Sequence, residues 1–484
     1  MRCRAGTAGV GASSPSMEVS EMSFRIDTQG WAEQQFGGCD LGDKRRTKRL
    51  IQVAQQVANH PAASFPKQME TWGDLKAAYR LFDAEEVTFA AVAGPHWQQT
   101  RSVESGRYLI LADTTEIDFG YDRQIEGLSR IGNGSGTGFL LHNGLLVEAG
   151  SRSLVGLAGQ TIHYRKKAPK NEHQSQRFKR ERESRVWKDL IDQIGPPPAG
   201  AEWIHVCDRG ADDFEVFCHL RENRSQWVIR ASSTHRLILT PAGQEQSLSD
   251  YLETLPVAGT YQLHLRARPK QPARTAKLEV RFGALSMPVP RHKTPYVQAL
   301  KPQPIPMWVV WVREVDAPPG VEPIEWVLYT SLPVATFDDA WLIVEYYECR
   351  WLIEEYHKAL KSGCSVQRRL LESAERLEAM VGLMSVVAVR LLQLKTVARA
   401  DPDRPARSVV PPLWLHMLKA ARKGLRSVHN LTIYLFYREL AKLGGFLGRK
   451  SDGEPGWITI WRGWEQLNML VTGAELAAQL KQCG

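Results

Sequence analysis

Two periodicities of apolar residues divide this chain. A helical period runs over residues 31–90, whereas short continuous apolar runs begin at "RYLILADTTEIDFG" and recur in "FLLHNGLLVEAG", "EWIHVCDRGAD", "QWVIRASST" and "IEWVLYTSLPV". Such runs are typical of buried strands in a sheet covered by helices. After about residue 400 the helical period returns. The pattern predicts an α/β core between two helical regions.

Two segments inside the core depart from this pattern. Residues 235–321 are rich in proline and alternate with the strand period, as in "TYQLHLRARP" and "MWVVWVREV", which predicts an inserted β subdomain. The charged segment "RKKAPKNEHQSQRFKRERESRVW" predicts a mobile loop that enters a helix. We therefore expect a disordered leader at 1–22, with Met17 or Met22 as alternative starts, and three domains at 23–90, 91–400 and 401–484.

The segment "YYECRWLIEEYHKALKSG" (Tyr346 to Gly363) predicts one amphipathic helix. At about 100° per residue, one stripe of this helix carries polar side chains: Tyr347, Arg350, Glu354, Lys358 and Lys361. The opposite side is mainly apolar and consists of Cys349, Leu352, Ile353, Tyr356 and Leu360. Two interpretations are open. The stripe is either a solvated face, with Glu354 and Lys358 as an i,i+4 pair, or a functional surface.

Composition narrows the class of protein. Lys and Arg number 62 against 53 Asp and Glu, which gives a net charge of +9 and favours a polyanionic partner. The seven cysteines are scattered and form no C-x-x-C pair, which argues against a disulfide framework or zinc ribbon and for a reducing compartment. The longest apolar runs, such as 381–389, are too short to span a membrane. We expect a cytoplasmic protein with no membrane partner.

Two acidic residues follow apolar runs of the predicted sheet, Asp113 and Asp208. Each is either a turn former or helix cap, or part of a site at the strand ends, where ligands of α/β sheets gather. Glu354 could supply a third carboxylate from the polar stripe. Carboxylates that meet repel one another unless a cation neutralises them, and hard oxygen ligands favour Mg²⁺ or Mn²⁺. Two such ions about 3.5–4 Å apart would support an in-line phosphoryl displacement.

Each of the two helical regions allows two interpretations. The first turns of "KRRTKRLIQVAQQVAN" are strongly basic, which suits either a DNA-docking module or a solvated face. The carboxyl-terminal region has an apolar set at helical spacing that packs either within one chain or across two: Ile433, Phe436, Tyr437, Leu440, Leu443, Trp461, Trp464 and Leu467.

The spacing Y-x2-R-x3-E-x6-K, matched by Tyr347, Arg350, Glu354 and Lys361, resembles the signature of one transposase family. Further segments follow in the family's order, namely "LGDKRRTKRL", "AYRLF", "LADTTEIDF", "VCDRGAD", "IEWVLYTSLPV", "VAVRLLQL" and "WRGWEQL". By these motifs, which cover nearly the whole chain, the protein is identified as a member of the insertion-sequence-four family of bacterial DDE transposases.

The resemblance implies an RNase H-like catalytic core with a β insertion, an amino-terminal DNA-binding domain and a carboxyl-terminal dimerisation domain. It implies that Asp113, Asp208 and Glu354 are the catalytic and metal-binding triad, with two Mg²⁺ ions that Mn²⁺ could replace. The implied DNA contacts are Tyr347, Arg350, Lys358 and Lys361 on phosphates, Trp326 on a flipped base, Arg209 and Arg230 near a hairpin, and Arg45, Arg46, Arg49 and Arg80 on the transposon end.

The implied reaction is cut-and-paste transposition: nicking, hairpin formation, hairpin opening and strand transfer. The implied partners are inverted-repeat ends, target DNA and a second copy of the chain in the synaptic complex, with no small-molecule substrate. Two alternatives stay open, a two-metal nuclease that does not join strands and a silent DNA-binding relative. A phosphatase of the D-x-D-x-T type is excluded by "ADTTEID", which does not fit that motif.

Overall fold

The computed structural model describes residues 28–121, 123, 125–132, 134–166, 185–265, 272–449 and 452–483. Contacts divide the chain into two compact units. The first contains Glu104–Asp113 and the described part of Ala168–Arg350, and the second contains the described parts of Glu21–Val103, Thr114–Lys167 and Trp351–Gly484. The predicted leader and most of the predicted mobile loop lie outside the described residues.

Parallel strands form the centre of the first unit. Strand β1 (Gly106–Asp118) pairs in parallel with β5 (Ala201–Cys207), and β5 pairs in parallel with β6 (Gln226–Arg230). Helix α6 (Arg185–Ile194) precedes β5, and α7 (Phe214–Glu222) connects β5 to β6. The β5 residues from Trp203 to Cys207 are buried, as the apolar runs predicted, because parallel sheets are covered on both faces.

The segment predicted as an inserted β subdomain contains strands, as expected, but they join the same sheet. Strands β9 (Val257–Leu265), β10 (Arg274–Met287) and β11 (Ile305–Val315) pair antiparallel in that order. Strand β11 also pairs with β12 (Glu325–Thr330), which pairs with β6. The short strand β7 (Leu237–Leu239) pairs with β10, and β8 (Glu245–Ser247) pairs with β7. Two short helices that the strand period did not predict interrupt the segment, α8 (Leu248–Thr254) and α9 (Pro295–Leu300).

The second unit contains three antiparallel strands and the helices of both chain ends. Strands β2 (Ser129–Ile131) and β4 (Leu154–His163) each pair with β3 (Gly136–Glu148). The amino-terminal helices are α1 (Thr28–Phe36), α2 (Lys44–Asn59), α3 (Phe65–Gln68), α4 (Trp72–Phe82) and α5 (Phe89–Arg101). The long helix α12 (Ala374–Ala400) packs against α5 and β4. The carboxyl-terminal helices α13 (Pro412–Ala421), α14 (Ile433–Leu443) and α15 (Trp457–Cys483) form a further cluster.

Two predicted elements need correction. Strand β1 does not end at Asp113 but continues to Asp118, and there it lies beside β3. Gly138 permits this approach, since a Cβ at that position would lie 1.8 Å from the Ile117 carbonyl oxygen. The single helix predicted over 346–363 is instead α10 (Phe337–Cys349), α11 (Trp351–Lys358) and a π-helical turn over Ala359–Gly363.

Candidate active site

Asp113 and Asp208 occupy equivalent positions on neighbouring parallel strands. Ala112 of β1 is opposite Cys207 of β5, so the two aspartates are the next residues of both strands. Burial raises the pKa of the Cys207 thiol, and the charges of Asp208 and Asp113 raise it further while Arg350 opposes them. The strand register therefore puts the two carboxylates at neighbouring strand positions, and the charges of both act on the same buried thiol.

Asp208 is both a cap and a neighbour of Asp113. Its Oδ1 accepts a hydrogen bond from the Gly210 amide at 2.8 Å and caps the 3₁₀ turn Arg209–Ala211. The capping interpretation of this residue is thus confirmed, but capping uses one oxygen and leaves the acceptor capacity of the other. The two interpretations of the sequence are compatible at this position.

Arg350 forms an ion pair with the Asp113 carboxylate. Its Nη1 lies 2.9 Å from Asp113 Oδ2, and the two side chains are only 16% and 15% exposed. Arg350 lies at the junction between α10 and α11, in helical conformation. The family resemblance implies that this guanidinium binds a DNA phosphate, and the structure shows it paired with an acidic side chain of the site.

Glu354 and His357, both on α11, form a pair that could contribute to a metal site. One potential ligand atom from each residue lies within 4.8 Å of the other, and Glu354 is half-buried while His357 is buried. Carboxylate oxygens are the ligands that Mg²⁺ and Mn²⁺ prefer, so the donor set fits a hard divalent cation.

His357 was not identified as a site residue from the sequence. Its Nε2 lies 3.1 Å from Nδ2 of Asn143 on β3, and Asn143 is bonded in turn to Gln160 on β4. The sequence contained a usable signal. At about 100° per residue, His357 lies roughly 20° from Arg350 around the helix, at the edge of the polar stripe.

The other residues of the polar stripe differ in how far they are buried. Tyr347 is buried, with its ring centroid 5.9 Å from that of the half-buried Trp326. Lys358 is exposed, and its Nζ lies 5.5 Å from the ring centroid of Trp351. Lys361, in the π-helical turn, is half-buried, and burial lowers its pKa. The structure therefore supports the solvated-face interpretation for Lys358 only.

Acidic groups surround Lys361. The charges of Glu116, Asp118 and Glu354 raise its pKa against the effect of burial. Both Glu116 and Asp118 belong to the part of β1 that the sequence did not predict as strand. The continuation of β1 past Asp113 thus supplies two of the three carboxylates that face this ammonium group.

The arginines assigned to the hairpin differ in exposure. Arg209 is exposed in the turn after Asp208. Arg230, at the end of β6, is half-buried, and its Nη2 donates to the Glu325 carbonyl oxygen at 2.9 Å. Glu325 precedes Trp326 on β12, so Arg230 fixes the backbone beside the tryptophan that the sequence assigned to base stacking.

The basic amino-terminal helix is partly neutralised by its own domain. Arg46 pairs with Glu86 and Arg49 pairs with Asp74, at 2.7 and 2.9 Å. Arg45, 92% exposed, pairs with its helix cap Asp43. Arg80 is exposed at the end of α4. Among the four arginines assigned to end recognition, Arg45 and Arg80 are the most accessible.

The carboxyl-terminal apolar set packs within one chain. Ile433, Phe436, Tyr437, Leu440 and Leu467 are fully buried in a cluster between α13, α14 and α15, together with the nearly buried Trp461 and Trp464. Leu443 is partly buried against this cluster. A different set of apolar side chains on α15 is exposed: Ile458, Met469, Leu470, Leu476 and Leu480. These residues, and not the predicted set, are available to a second chain.

Three family models match the chain in sequence. Residues 28–87 match transposase DNA-binding domains, residues 167–390 match the transposase DDE domain, and residues 386–484 match the transposase Tn5 dimerisation domain. The DDE match contains Asp208 and Glu354, and Asp113 lies upstream of it. Within the described residues, none of the helices combines the length and apolar character needed to cross a bilayer.

These matches explain the arrangement of the chain. A DDE domain implies an RNase H-like core and bound divalent metal ions, in agreement with the mixed sheet and the acidic group. The DNA-binding and dimerisation matches imply DNA binding and dimer formation. The chain is therefore a DDE transposase of the Tn5-like type, an enzyme that cleaves DNA and transfers its strands.

Proposed function

We propose that this enzyme is a cut-and-paste transposase of the insertion-sequence-four family. It binds the inverted-repeat ends of its transposon, nicks them, closes and opens a DNA hairpin, and transfers the 3′ ends into target DNA. The observation that carries the proposal is the placement of Asp113 and Asp208 at equivalent positions of neighbouring parallel strands, with the Arg350 guanidinium on Asp113. Glu354, beside His357 on α11, is the third proposed acidic residue.

Asp113, Asp208 and Glu354 are the residues that would hold the metal ions, and we propose two Mg²⁺ ions per site, replaceable by Mn²⁺. When bound, such ions activate a water or a 3′-hydroxyl and stabilise the leaving oxygen. Arg350 has a supporting part in this proposal. It pairs with Asp113, which limits the repulsion between neighbouring carboxylates.

The proposed DNA contacts surround this acidic group. Trp326 would stack a base extruded during hairpin formation, supported from below by the Tyr347 ring. Arg209 and Arg230 would bind the hairpin, and Arg350, Lys358 and Lys361 the phosphates of the cleaved strand. Arg45, Arg46, Arg49 and Arg80 would bind the transposon end.

The proposed organisation is the one that the sequence suggested: an end-binding domain at 23–90, a catalytic domain at 91–400 and a dimerisation domain at 401–484. The ends and the target are double-stranded DNA, and two protomers form the synaptic complex. Five cysteines are buried free thiols, namely Cys39, Cys207, Cys218, Cys349 and Cys364, which agrees with the proposed action in the bacterial cytoplasm.

The test uses the DNA that flanks the gene. Purified protein is incubated with Mg²⁺ and a fragment that carries the flanking inverted repeats, and the products are resolved on denaturing gels. We expect nicks at the repeat ends, hairpins, and joined products when target DNA is added. Nicking without joining would instead assign a two-metal nuclease, and binding without cleavage a silent relative.

A further inference from the structure

A buried chain of hydrogen bonds connects the pair of Glu354 and His357 to the sheet of the second unit. His357 of α11 lies next to Glu354, one helical turn earlier. Asn143 and Gln160, on the paired strands β3 and β4, are both buried and lie behind His357. A buried polar group without a hydrogen-bond partner destabilises the folded protein. The donor and the acceptor of each hydrogen bond in this series are therefore constrained.

The direction of the bonds can be assigned from groups that have only one hydrogen-bonding role. The Trp97 indole N–H can only donate, and it donates to Gln160 Oε1 at 3.2 Å. The Gln160 Nε2 therefore donates to Asn143 Oδ1, at 2.7 Å. The Leu141 carbonyl can only accept, and it accepts from Asn143 Nδ2 at 3.1 Å. The bond from Trp97 and the bond to Leu141 therefore give the Asn143 amide the same orientation, with Nδ2 toward His357.

The orientation of Asn143 determines the protonation of His357. An amide nitrogen donates and does not accept, so His357 Nε2 must be the unprotonated acceptor of the 3.1 Å contact. In a neutral imidazole the proton then resides on Nδ1. An Nδ1–H group has no lone pair for a cation, but it can donate a hydrogen bond to a carboxylate.

We infer that His357 is not a metal ligand but a positioning residue, whose Nδ1–H donates to the Glu354 carboxylate and orients it. The inference rests on the proposed function for its catalytic consequence, but the tautomer itself follows from the hydrogen bonds of the second unit. Metal-site carboxylates depend on such supporting bonds for their orientation, and loss of one typically reduces activity or metal affinity about 10–100-fold.

Gln160 makes further close polar contacts that fix this series of hydrogen bonds. The Gln160 Nε2 also lies 3.1 Å from Ser385 Oγ on α12 and 3.3 Å from the Tyr356 hydroxyl on α11. Gln160 therefore ties together α5, α11, α12 and two strands through one buried amide. The orientation of His357 is set by this framework and not by α11 alone, so a carboxylate that it holds is fixed relative to the sheet.

The first test is spectroscopic. The full-length protein is labelled with ¹⁵N-histidine, and two-dimensional long-range ¹H–¹⁵N spectra distinguish a protonated, pyrrole-type ring nitrogen from an unprotonated, pyridine-type one. The His357 signals are assigned by their loss in a His357→Asn variant. We expect a pyrrole-type Nδ1 and a pyridine-type Nε2 near neutral pH. A pyridine-type Nδ1 would overturn the inference.

The second test uses a matched pair of substitutions. His357→Asn places an amide N–H near the position of Nδ1, and His357→Gln places its amide near Nε2, where it can still bond Asn143 but no longer reaches the Glu354 carboxylate. We expect nicking of end DNA about 10–100-fold slower in His357→Gln and within about threefold of wild type in His357→Asn, with equal end-DNA affinity. Equal rates in the two variants would overturn the positioning role.

The two tests separate this inference from the proposed function. If the wild-type protein fails to nick end DNA, the proposed function fails while the spectra still decide the tautomer. If the wild-type protein nicks and the spectra show a protonated Nε2, the inference fails and the proposed function stands. Thermal unfolding of both variants identifies a purely structural effect, which would lower the midpoint and the rate together in the Asn and Gln proteins alike and would also contradict the inference.

Discussion

The Asp113 carboxylate is the point at which the charges of the site are balanced. It pairs with Arg350 at 2.9 Å, and Asp208 occupies the equivalent position of the next strand. Neighbouring carboxylates repel one another unless a cation compensates them. The Arg350 guanidinium supplies part of that compensation, and its contact with a DNA phosphate stays a prediction.

Glu354→Gln tests the role of the Glu354 carboxylate. The amide keeps the size of the side chain but removes the negative charge that a divalent ion requires. We expect unchanged binding of end DNA in gel-shift assays and a loss of nicking, hairpin formation and strand transfer of at least about 100-fold.

The matched control is Glu355→Gln, one residue further along α11. Glu355 pairs with the buried Lys395, so this variant should lose stability but still nick DNA. Nicking by Glu354→Gln at a sizeable fraction of the wild-type rate would mean that Glu354 is not a catalytic residue.

His205 gives the protein a sensitivity to acid. It is buried in β5, and burial lowers its pKa from 6.5 to about 3. The unfolded chain therefore takes up a proton below about pH 6.5 that the folded chain refuses until about pH 3. Stability falls over this window as the pH decreases, by up to about 1.4 kcal/mol per pH unit for this residue.

His205→Leu should remove that share of the acid sensitivity. Urea unfolding midpoints measured at about pH 5 and about pH 7 should differ less in the variant than in the wild type. His416→Leu provides the control, since His416 is exposed on α13 and not buried in a strand. An identical pH dependence of the wild type and His205→Leu would contradict this account.

At the scale of elements, the sequence predicted those helices and strands that a local pattern of apolar residues specifies. The apolar runs located β5 and the aspartate that follows it, and helical periodicity located α2 and the polar stripe around Glu354. The continuation of β1 past Asp113 was not predictable in this way. It depends on pairing with β3, which is distant in sequence and requires a glycine at position 138.

The π-helical turn over Ala359–Gly363 escaped prediction for a related reason. Its bond from the Cys364 amide to the Ala359 carbonyl spans five residues, and no sequence period distinguishes such a turn from α-helix. Lys361 lies in this turn, and the charges of Glu116, Asp118 and Glu354 act on its ammonium group. Lys358, still in α11, is exposed.

The two lysines should differ in their contribution to DNA binding. Each phosphate contact releases about one counterion, so Lys358→Gln should lower the slope of log affinity against log salt concentration by about one. Lys361→Gln should lower it less, because neighbouring carboxylates already compensate much of its charge. Titration of labelled end DNA at several salt concentrations measures both slopes. A larger change for Lys361→Gln than for Lys358→Gln would contradict the prediction.

At the scale of the whole molecule, the carboxyl-terminal helices perform two tasks. One face of α15 completes a core within its own chain through Trp461, Trp464 and Leu467, and Asn468 donates to the Asn59 carbonyl oxygen of the DNA-binding region. Another set of its apolar side chains is exposed. Exposed apolar side chains on a single helix are a usual basis for association, and this helix belongs to the dimerisation match.

Replacing exposed apolar residues of α15 by glutamate should abolish DNA cleavage without weakening the binding of single ends. Leu476 and Leu480 are 56% and 76% exposed, so their joint replacement by Glu should leave the fold intact. We expect single-end complexes of normal affinity, loss of two-end complexes in light scattering, and loss of cleavage. Leu447→Glu is the control, because Leu447 is 65% exposed but lies outside α15. Normal two-end complexes in the double variant would assign the interface elsewhere.

Excision is safe only if both ends are present before either is cut, and a protomer bound to one end cannot detect the other. Trans catalysis meets this requirement: one protomer holds an end through its amino-terminal domain, and its partner's acidic group cuts that end. The two functions then belong to different chains of the same complex. A protein deficient in end binding and a protein deficient in catalysis should complement each other, which catalysis in cis does not allow.

A mixing experiment decides between these arrangements. Arg45→Ala with Arg80→Ala removes the most exposed basic residues of the end-binding region, whereas Arg46 and Arg49 also support the fold through Glu86 and Asp74. Mixed with Glu354→Gln protein, this variant should restore cleavage of one end per complex, with a maximum near equal amounts. Either protein alone should be inactive. Inactivity at every mixing ratio, although mixed dimers form on DNA, would show that each protomer cuts the end it binds.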